Sequence, residues 1–355
     1  MLTLCEFCDI WKFFGHRPRV KRAANLLAEL DALYTLGWHG PVFVVDDNFI
    51  GNRRRVKQEL LPALIDWQQA HGHVFQFNTE ATVDLGRDEP LLEAMRRAGF
   101  NQVFLGIETP SAAGLREAGK TNNLRTDMLQ AVKTIQRHGL EVMGGFIIGF
   151  DSDTESIFDQ QIDFIQQAGI PKAMVGLLSA LPGSALAERL EREGRLTADF
   201  NGSNTHRLSV NFIPRMAPQR LIAGYLRVLA TIYDSDLSHY FQRCNQMLDT
   251  IEYAEFFQRR IGWRELRAVV LSLLRQPFAP YGRQYLRFIA RNLRRHPRIF
   301  GEVLSYAITG HHLFVITRDI LARAARNPLP DRSGQLTARR LDGAANLPTA
   351  SGCAN

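Results

Sequence analysis

The architecture turns on one stretch, Leu140-Glu141-Val142-Met143-Gly144-Gly145-Phe146-Ile147-Ile148-Gly149-Phe150. It is an apolar run of strand length, and it follows an amphipathic helix pattern at 122–138 that closes on Gly139. Such a run reads as a strand buried in a parallel sheet beneath helices. The same unit recurs on both sides. Runs of this kind stand at 41–47, 73–80, 102–108 and 172–180, and helix patterns fill the intervals at 20–37, 53–71, 88–98 and 153–168. Gly37, Gly72 and Gly99 close three of these helices as Gly139 closes another, because glycine takes the left-handed backbone that ends a helix. Residues 1–200 are therefore expected to form a βα repeat, either an open doubly wound sheet or a barrel, full or partial. Both place chemistry at the C-terminal ends of the strands.

From about residue 215 the strand signals stop, and helix patterns take over at 218–233, 251–258, 263–274, 281–296 and 300–326. Residues 201–327 thus read as a second, helical domain, with the boundary near Asn201-Gly202-Ser203-Asn204. Charge divides at the same place. Residues 201–355 hold 22 arginines, no lysine and 10 acids, a net +12, whereas residues 1–200 carry 21 basic and 26 acidic side chains, a net −5. Residues 328–355 are polar and rich in Pro, Gly, Ser and Ala, and are expected to be a disordered tail that leaves Cys353 an incidental thiol. With 355 residues, 45% hydrophobic and 22% charged, the chain is long enough for a sizeable core, which excludes disordered and fibrous classes. No run of eighteen or more uncharged apolar residues and no basic, apolar leader is visible, so the expected location is the cytoplasm.

Four cysteines, Cys5, Cys8, Cys244 and Cys353, are too few for a disulfide framework, so the close pair Cys5-Glu6-Phe7-Cys8 points to metal or redox chemistry. A structural zinc site needs a second Cys or His pair, which the sequence lacks. A thioredoxin-like pair needs a strand just upstream. The strand ends carry the other candidates: Asp46-Asp47-Asn48 on the first, Glu80 on the second and Gly106-Ile107-Glu108-Thr109 on the third. Three successive strands would bring carboxylates to one rim. Taken singly, Asp47 and Thr109 read equally well as helix caps.

These residues resemble the radical S-adenosylmethionine (SAM) enzymes. Cys5, Phe7 and Cys8 match the last three marked positions of the cluster loop Cys-x-x-x-Cys-x-aromatic-Cys, and Met1 stands where its first cysteine belongs. Gly145-Phe146-Ile147-Ile148-Gly149 resembles the Gly-x-Ile-x-Gly strand beside the adenine, and Leu181-Pro182-Gly183-Ser184 the turn that closes the adenine pocket. Taken alone, a bulge or close helix packing explains the glycines, and a turn into a helix cap explains 181–184. Val45-Asp46-Asp47-Asn48-Phe49-Ile50-Gly51-Asn52, Phe150-Asp151-Ser152-Asp153, Asn211-Phe212-Ile213-Pro214 and Gly310-His311-His312-Leu313-Phe314 narrow the resemblance to the cobalamin-binding branch, which includes hopanoid methylases. It covers roughly residues 1–326.

The resemblance implies a partial (β/α) barrel lacking its first strand, followed by an all-helical domain. It implies a 4Fe-4S cluster held by Cys5 and Cys8, reductive cleavage of SAM to a deoxyadenosyl radical, and a cobalamin-dependent C-methyltransferase. The substrate would be a small molecule or lipid, and the electron donor a ferredoxin or flavodoxin. Phe7, Asp46, Asp47, Asn48, Glu80, Glu108, Gly145, Ile147, Gly149 and Leu181 become candidate cofactor contacts, the carboxylates through the SAM ammonium or ribose hydroxyls. It further implies a chain that begins inside the cluster loop, truncated before it, so that the cobalamin domain of this branch is absent and one cluster cysteine is missing. The alternatives are a non-catalytic remnant or binding module, and an RNA-modifying radical SAM enzyme.

Three placements are expected. The sulfurs of Cys5 and Cys8 face the rim of Asp47, Glu80 and Glu108. The helical domain covers that rim, because a radical site must be enclosed. An arginine stripe from Arg283 to Arg298, opposite Leu286, Ile289 and Leu293, faces outward as a solvated surface or, in the sharper reading, contacts an anionic membrane at its inner face. Nucleic acid is disfavoured, since no stacking platform accompanies the arginines. His311-His312 reads as structural, because neighbouring helix positions point in different directions.

Overall fold

A computed structural model describes residues 5–15, 19–197, 208–256 and 262–326. Met1, the boundary at 201–204 and the tail from 328 lie outside the described residues.

Five strands, β1 (Pro41–Val44), β2 (Gln76–Ala81), β3 (Phe100–Glu108), β4 (Glu141–Ile148) and β5 (Lys172–Leu177), form one sheet in the order β1-β2-β3-β4-β5. All four pairings are parallel. A doubly wound sheet reverses its strand order at a switch point. This one never does, so the chain coils in a single direction, as a partial barrel requires. The outer helices are α1 (Ala23–Thr35), α2 (Leu61–Ala70), α3 (Glu89–Ala98), α4 (Met128–Arg137), α5 (Ser156–Ala168) and α6 (Ala185–Arg192). Gly37, Gly72, Gly99 and Gly139 all have positive φ, as their place after a helix demands.

The strands are buried on one face only. Register partners share a face of the sheet, and Glu80, Phe104, Met143 and Lys172 make one row of such partners, with Gly106, Gly145 and Met174 the next. Along each strand these residues alternate with fully buried neighbours such as Val103, Leu105 and Val142. The barrel interior is therefore an open trough, on which Phe43 and Met174 are about half exposed. Expecting strands buried on both faces overlooks this, because composition does not distinguish a helix-covered face from a hollow one.

The second half contains α7 (Pro218–Ile232), α8 (Ser238–Thr250), α9 (Trp263–Arg275), α10 (Gly282–Arg295) and α11 (Phe300–Arg326). Of the helix expected at 251–258, the described residues 251–256 are irregular: α8 ends at Thr250 and Ile251 is extended, while 257 and 258 lie outside the described residues. By length and composition α11 is apolar enough to cross a membrane. In the fold it is the central helix of this half, with Val303, Tyr306, Ala307 and Ile320 buried and α7, α8, α9 and α10 packed around it.

Among the described residues, the helices expected to cover the strand-end rim do not lie over it. Arg243 donates from Nε to the Ile170 carbonyl (2.8 Å), and the Tyr233 hydroxyl donates to the Ala173 carbonyl (2.9 Å), both at the start of β5. Lys172 Nζ lies 5.7 Å from the Tyr306 ring centroid. The helices therefore sit beneath the N-terminal ends of the strands and alongside α4 and α5, where buried carbonyls and polar side chains offer partners. Among the described residues, the segment before α7 and the start of α7 reach upward: Asn211 bonds to Ala180, Phe212 packs with Phe150 and Leu178, and Leu221 lies against Gly149. One cluster of buried side chains runs from Leu30 to Ile320, so the two halves share a core although their surface charges differ.

A candidate active site at the strand ends

Cys5 and Cys8 lie in a tight turn, Cys8 N donating to Cys5 O (3.2 Å), that is fastened on both sides. Glu6 N donates to Ala118 O (3.1 Å), and Leu186 N to Glu6 O (2.8 Å). Between the cysteines, Phe7 packs 6.2 Å from the Phe150 ring and joins a small second core of Phe150, Leu178, Leu186 and Phe212. The aromatic residue thus anchors the loop while both thiols stay uncombined. Cys5 is 7% exposed and Cys8 more open. Burial pushes the Cys5 thiol up to about 11 against the opposing pull of Lys120, and burial raises Cys8 as well.

Beside Cys5, at the end of β3, lies a buried ion pair. Lys120 Nζ is 2.7 Å from Glu108 Oε1, with side chains 14% and 9% exposed. Burial alone would depress the ammonium; Glu108 and the Cys5 thiol overcome this and raise it. Glu108 holds a left-handed φ of 65° at a register shift between β3 and β4. A non-glycine residue there stores about 1–2 kcal/mol of strain. A side chain on Gly106 would fall 2.5 Å from Glu108 Oε1, so the absence of one leaves room for the pair on the trough side.

A second acidic group lies at the ends of β1 and β2. Burial and then Asp47 raise both Asp46 and Glu80, and Asp47 also acts on Cys8. Asn48 Oδ1 accepts from Thr82 N (3.3 Å), tying the two strand ends together. Asp46, Asp47 and Glu80 on one side, and Glu108 with Lys120 on the other, therefore border the cysteine turn. The adenine-strand candidates divide. Gly145 faces the trough, where a side chain would strike the Phe104 ring at 2.7 Å. Ile147 packs with Phe7 against the second core. Gly149 has φ 115° and donates its N–H to Asp153. Leu181 begins a turn in which Ser184 caps α6, accepting from Ala187 N at 3.1 Å. Thr109 Oγ1 accepts from Ser111 N (3.2 Å), so its role is local.

Lys120, Arg189 and Arg195 escaped sequence reading, whereas Asp151 and Asn211 stood in the quoted motifs without an assigned role. Lys120 had only a preceding glycine to mark it. Arg189, on α6, donates to Glu6 (2.5 Å) and Asp151 (2.9 Å), and Arg195 donates to Asp151 (2.5 Å). This network holds Asp151 down to about 2, chiefly through the Arg195 hydrogen bond. Asn211 makes two bonds to Ala180, accepting from its N–H and donating to its carbonyl.

Asp153 gives a pH test of this region. Its Oδ2 accepts from Gly149 N (2.8 Å) and Phe150 N (3.0 Å), but Oδ1 is buried without a partner, and burial lifts the carboxyl from 3.8 to about 6. The fold therefore binds this proton more tightly than the unfolded chain does. The resulting stability is full below about pH 4 and is lost as pH rises to about 6, up to about 3 kcal/mol. Asp153→Asn keeps the acceptor and should gain on the parent between pH 4 and 7 in urea unfolding. A difference independent of pH would refute this.

Among the described residues, no group of three His, Cys, Asp or Glu gathers as a metal site; Cys5 and Cys8 fit two ligand positions of an iron–sulfur centre and no more. A cavity of about 630 Å³ lies at the opposite, N-terminal ends of the strands, between Gln76, Glu141 and Lys172 above and Tyr253 and Glu302 below. It is remote from the thiols.

Residues 3–165 match the family model described as the radical SAM superfamily, and residues 184–326 match a domain described as of unknown function, DUF4070. The hopanoid C-2 methylase of Rhodopseudomonas palustris (strain TIE-1) is 33% identical over 323 residues, covering 89% of this chain and 59% of that protein. A protein called uncharacterized methyltransferase sll1242, from Synechocystis sp., is 44% identical over 230 residues, 65% of this chain and 43% of its own. The chain thus spans about half the length of the curated relatives it matches. The solved structure of OxsB, a cobalamin-dependent SAM radical enzyme, aligns with 92% of this chain and 53% of its own at 12% identity, with a TM-score of 0.49.

Proposed function

We propose, from the match of residues 3–165 to the radical SAM superfamily model, that the chain serves a cobalamin-dependent methyltransferase acting on an unactivated carbon of a small molecule or lipid. The observation that carries this reading is the cysteine turn, fastened at Ala118 and Leu186 beside the strand-end carboxylates and above the open trough. When bound, the cluster with SAM supplies radical chemistry, and cobalamin carries the methyl group. Cys5 and Cys8 would hold the cluster. Phe7 fixes their turn. Asp46, Asp47 and Glu80 would accept hydrogen bonds from the SAM ammonium or ribose hydroxyls, and Asn48 keeps their two strand ends in register. Gly145, Ile147, Gly149 and Leu181 would border the adenine. Phe43, Phe104, Met143 and Met174 would offer the substrate apolar contacts on the trough, beside the polar side chains of Asn78, Gln102 and Lys172. A ferredoxin or flavodoxin would deliver electrons in the cytoplasm.

Anaerobic reconstitution with iron and sulfide tests the central step. The parent should bind iron and develop visible charge-transfer absorbance. Cys5→Ala and Cys8→Ala should each lose most of both, while Cys353→Ala should not. Equal iron in the parent and the Cys5→Ala/Cys8→Ala double variant would end the proposal.

A further inference from the structure

The arginine stripe of α10 does not stand opposite a buried leucine stripe. The buried side of α10 is Tyr285, Phe288 and Asn292, while Leu286 and Leu293 are 51% and 52% exposed beside the arginines. The preceding helix repeats the pattern. On α9, Trp263, Leu266, Val270 and Leu274 recur at helical spacing, all at least 45% exposed, and Phe278 just beyond is 89% exposed. The inner sides are joined instead: Ser272 Oγ lies 3.1 Å from the Tyr285 hydroxyl and accepts from Gln276 Nε2 at 2.9 Å. Ser272 lies across α9 from the apolar stripe, so that stripe turns away from the fold.

Residues 263–298 contain nine arginines, no lysine and one acid, Glu265. Arg267, Arg275, Arg283, Arg287 and Arg294 are exposed and make no ion pair with a described carboxylate. Large apolar side chains exposed together mark an interaction surface. A second copy of the chain is a poor occupant, because a two-fold interface sets a patch against itself and would bring arginine against arginine. A nucleic acid would satisfy the arginines and leave the leucines and valine in water. An anionic bilayer accommodates both, acyl chains taking the apolar stripe and phosphates the guanidinium groups.

We propose that the α9–α10 hairpin is a membrane-docking surface that lays Trp263, Leu266, Val270, Leu274 and Phe278 into the interface of an anionic bilayer, with the flanking arginines on lipid phosphates. It does not depend on the proposed catalysis, and its readout is binding. The full chain should cosediment at low salt with phosphatidylcholine vesicles containing about a quarter phosphatidylglycerol, and far less with phosphatidylcholine alone. Trp263→Ser/Phe278→Ser should lower the bound fraction about tenfold or more, since each removes a large apolar group from the interface. Arg283→Gln/Arg287→Gln/Arg294→Gln should lower it and flatten its salt dependence. All these side chains are exposed, so circular dichroism and the unfolding midpoint should stay unchanged. No binding by the parent at low salt, or equal binding by parent and variants, overturns the proposal. So does a dimer in size-exclusion chromatography that the Trp263→Ser/Phe278→Ser variant dissolves without any vesicle binding, which would assign the face to a second copy.

Discussion

Replacing Lys120 by methionine is expected to cost about 3–5 kcal/mol of folding stability, because it leaves the Glu108 carboxylate buried without its counter-charge. The volume is nearly kept, so little of the loss arises from a cavity. Glu108 has few alternatives: its side chain is 9% exposed and its backbone is held in a left-handed conformation. Lys120→Met/Glu108→Gln removes both charges and should recover at least half of the loss. Urea unfolding of the parent, the single and the double variants measures this. A single variant that costs less than about 1 kcal/mol would show that the pair behaves as a surface salt bridge. The same variant bears on the site, since Lys120 is the cation that opposes the burial of the Cys5 thiol.

Arg243→Leu should be of similar size, about 3–5 kcal/mol, for a different reason. The guanidinium is fully buried, donates to the carbonyls of Ile170 and Ile232 (each 2.8 Å) and to Gln166, and lies 5.4 Å from the Tyr233 ring. Leucine leaves those acceptors without this donor, at a cost of about 1–3 kcal/mol for each buried group, less the desolvation of the lost charge. These bonds join the helical half to the start of β5, so limited proteolysis should become faster in 208–256 before it does in β2–β4. Uniform loosening of the whole chain would argue against this.

The sequence made the sheet legible because glycine and apolar runs act locally. Gly37, Gly72, Gly99 and Gly139 needed only the backbone conformation that ends a helix, and Phe7 between two cysteines matched a known loop pattern, although its anchoring role was not read from it. The helical half was less legible. In α8, Tyr240, Phe241, Cys244, Met247 and Leu248 do repeat at helical spacing, but polar neighbours dilute the pattern, and Leu237, with φ 55°, begins it where a cap would be sought. On α10 aliphatic residues looked like the inner side, yet the tertiary partners at Ser272 and Asn245 favour Tyr285 and Asn292. Which end of the sheet the helices occupy depends on bonds such as Arg243 to Ile170, between residues 73 positions apart. Periodicity within one helix carries no trace of them. Lys120 escaped for the same reason, being defined by a carboxylate on another element.

The fastening of the cysteine turn also sets an order of assembly. Glu6 is held by Arg189, 183 residues later in the chain. At about 5–20 residues per second, a ribosome needs roughly ten to forty seconds to supply that partner after Glu6 is made. Until then the two thiols belong to a segment fastened at most on its Ala118 side, open to oxidation and to stray metal. Delivery of an iron–sulfur centre is therefore suited to the finished barrel rather than the nascent chain, and the slower the chain is made under air, the longer its two thiols stay exposed before the turn is fastened.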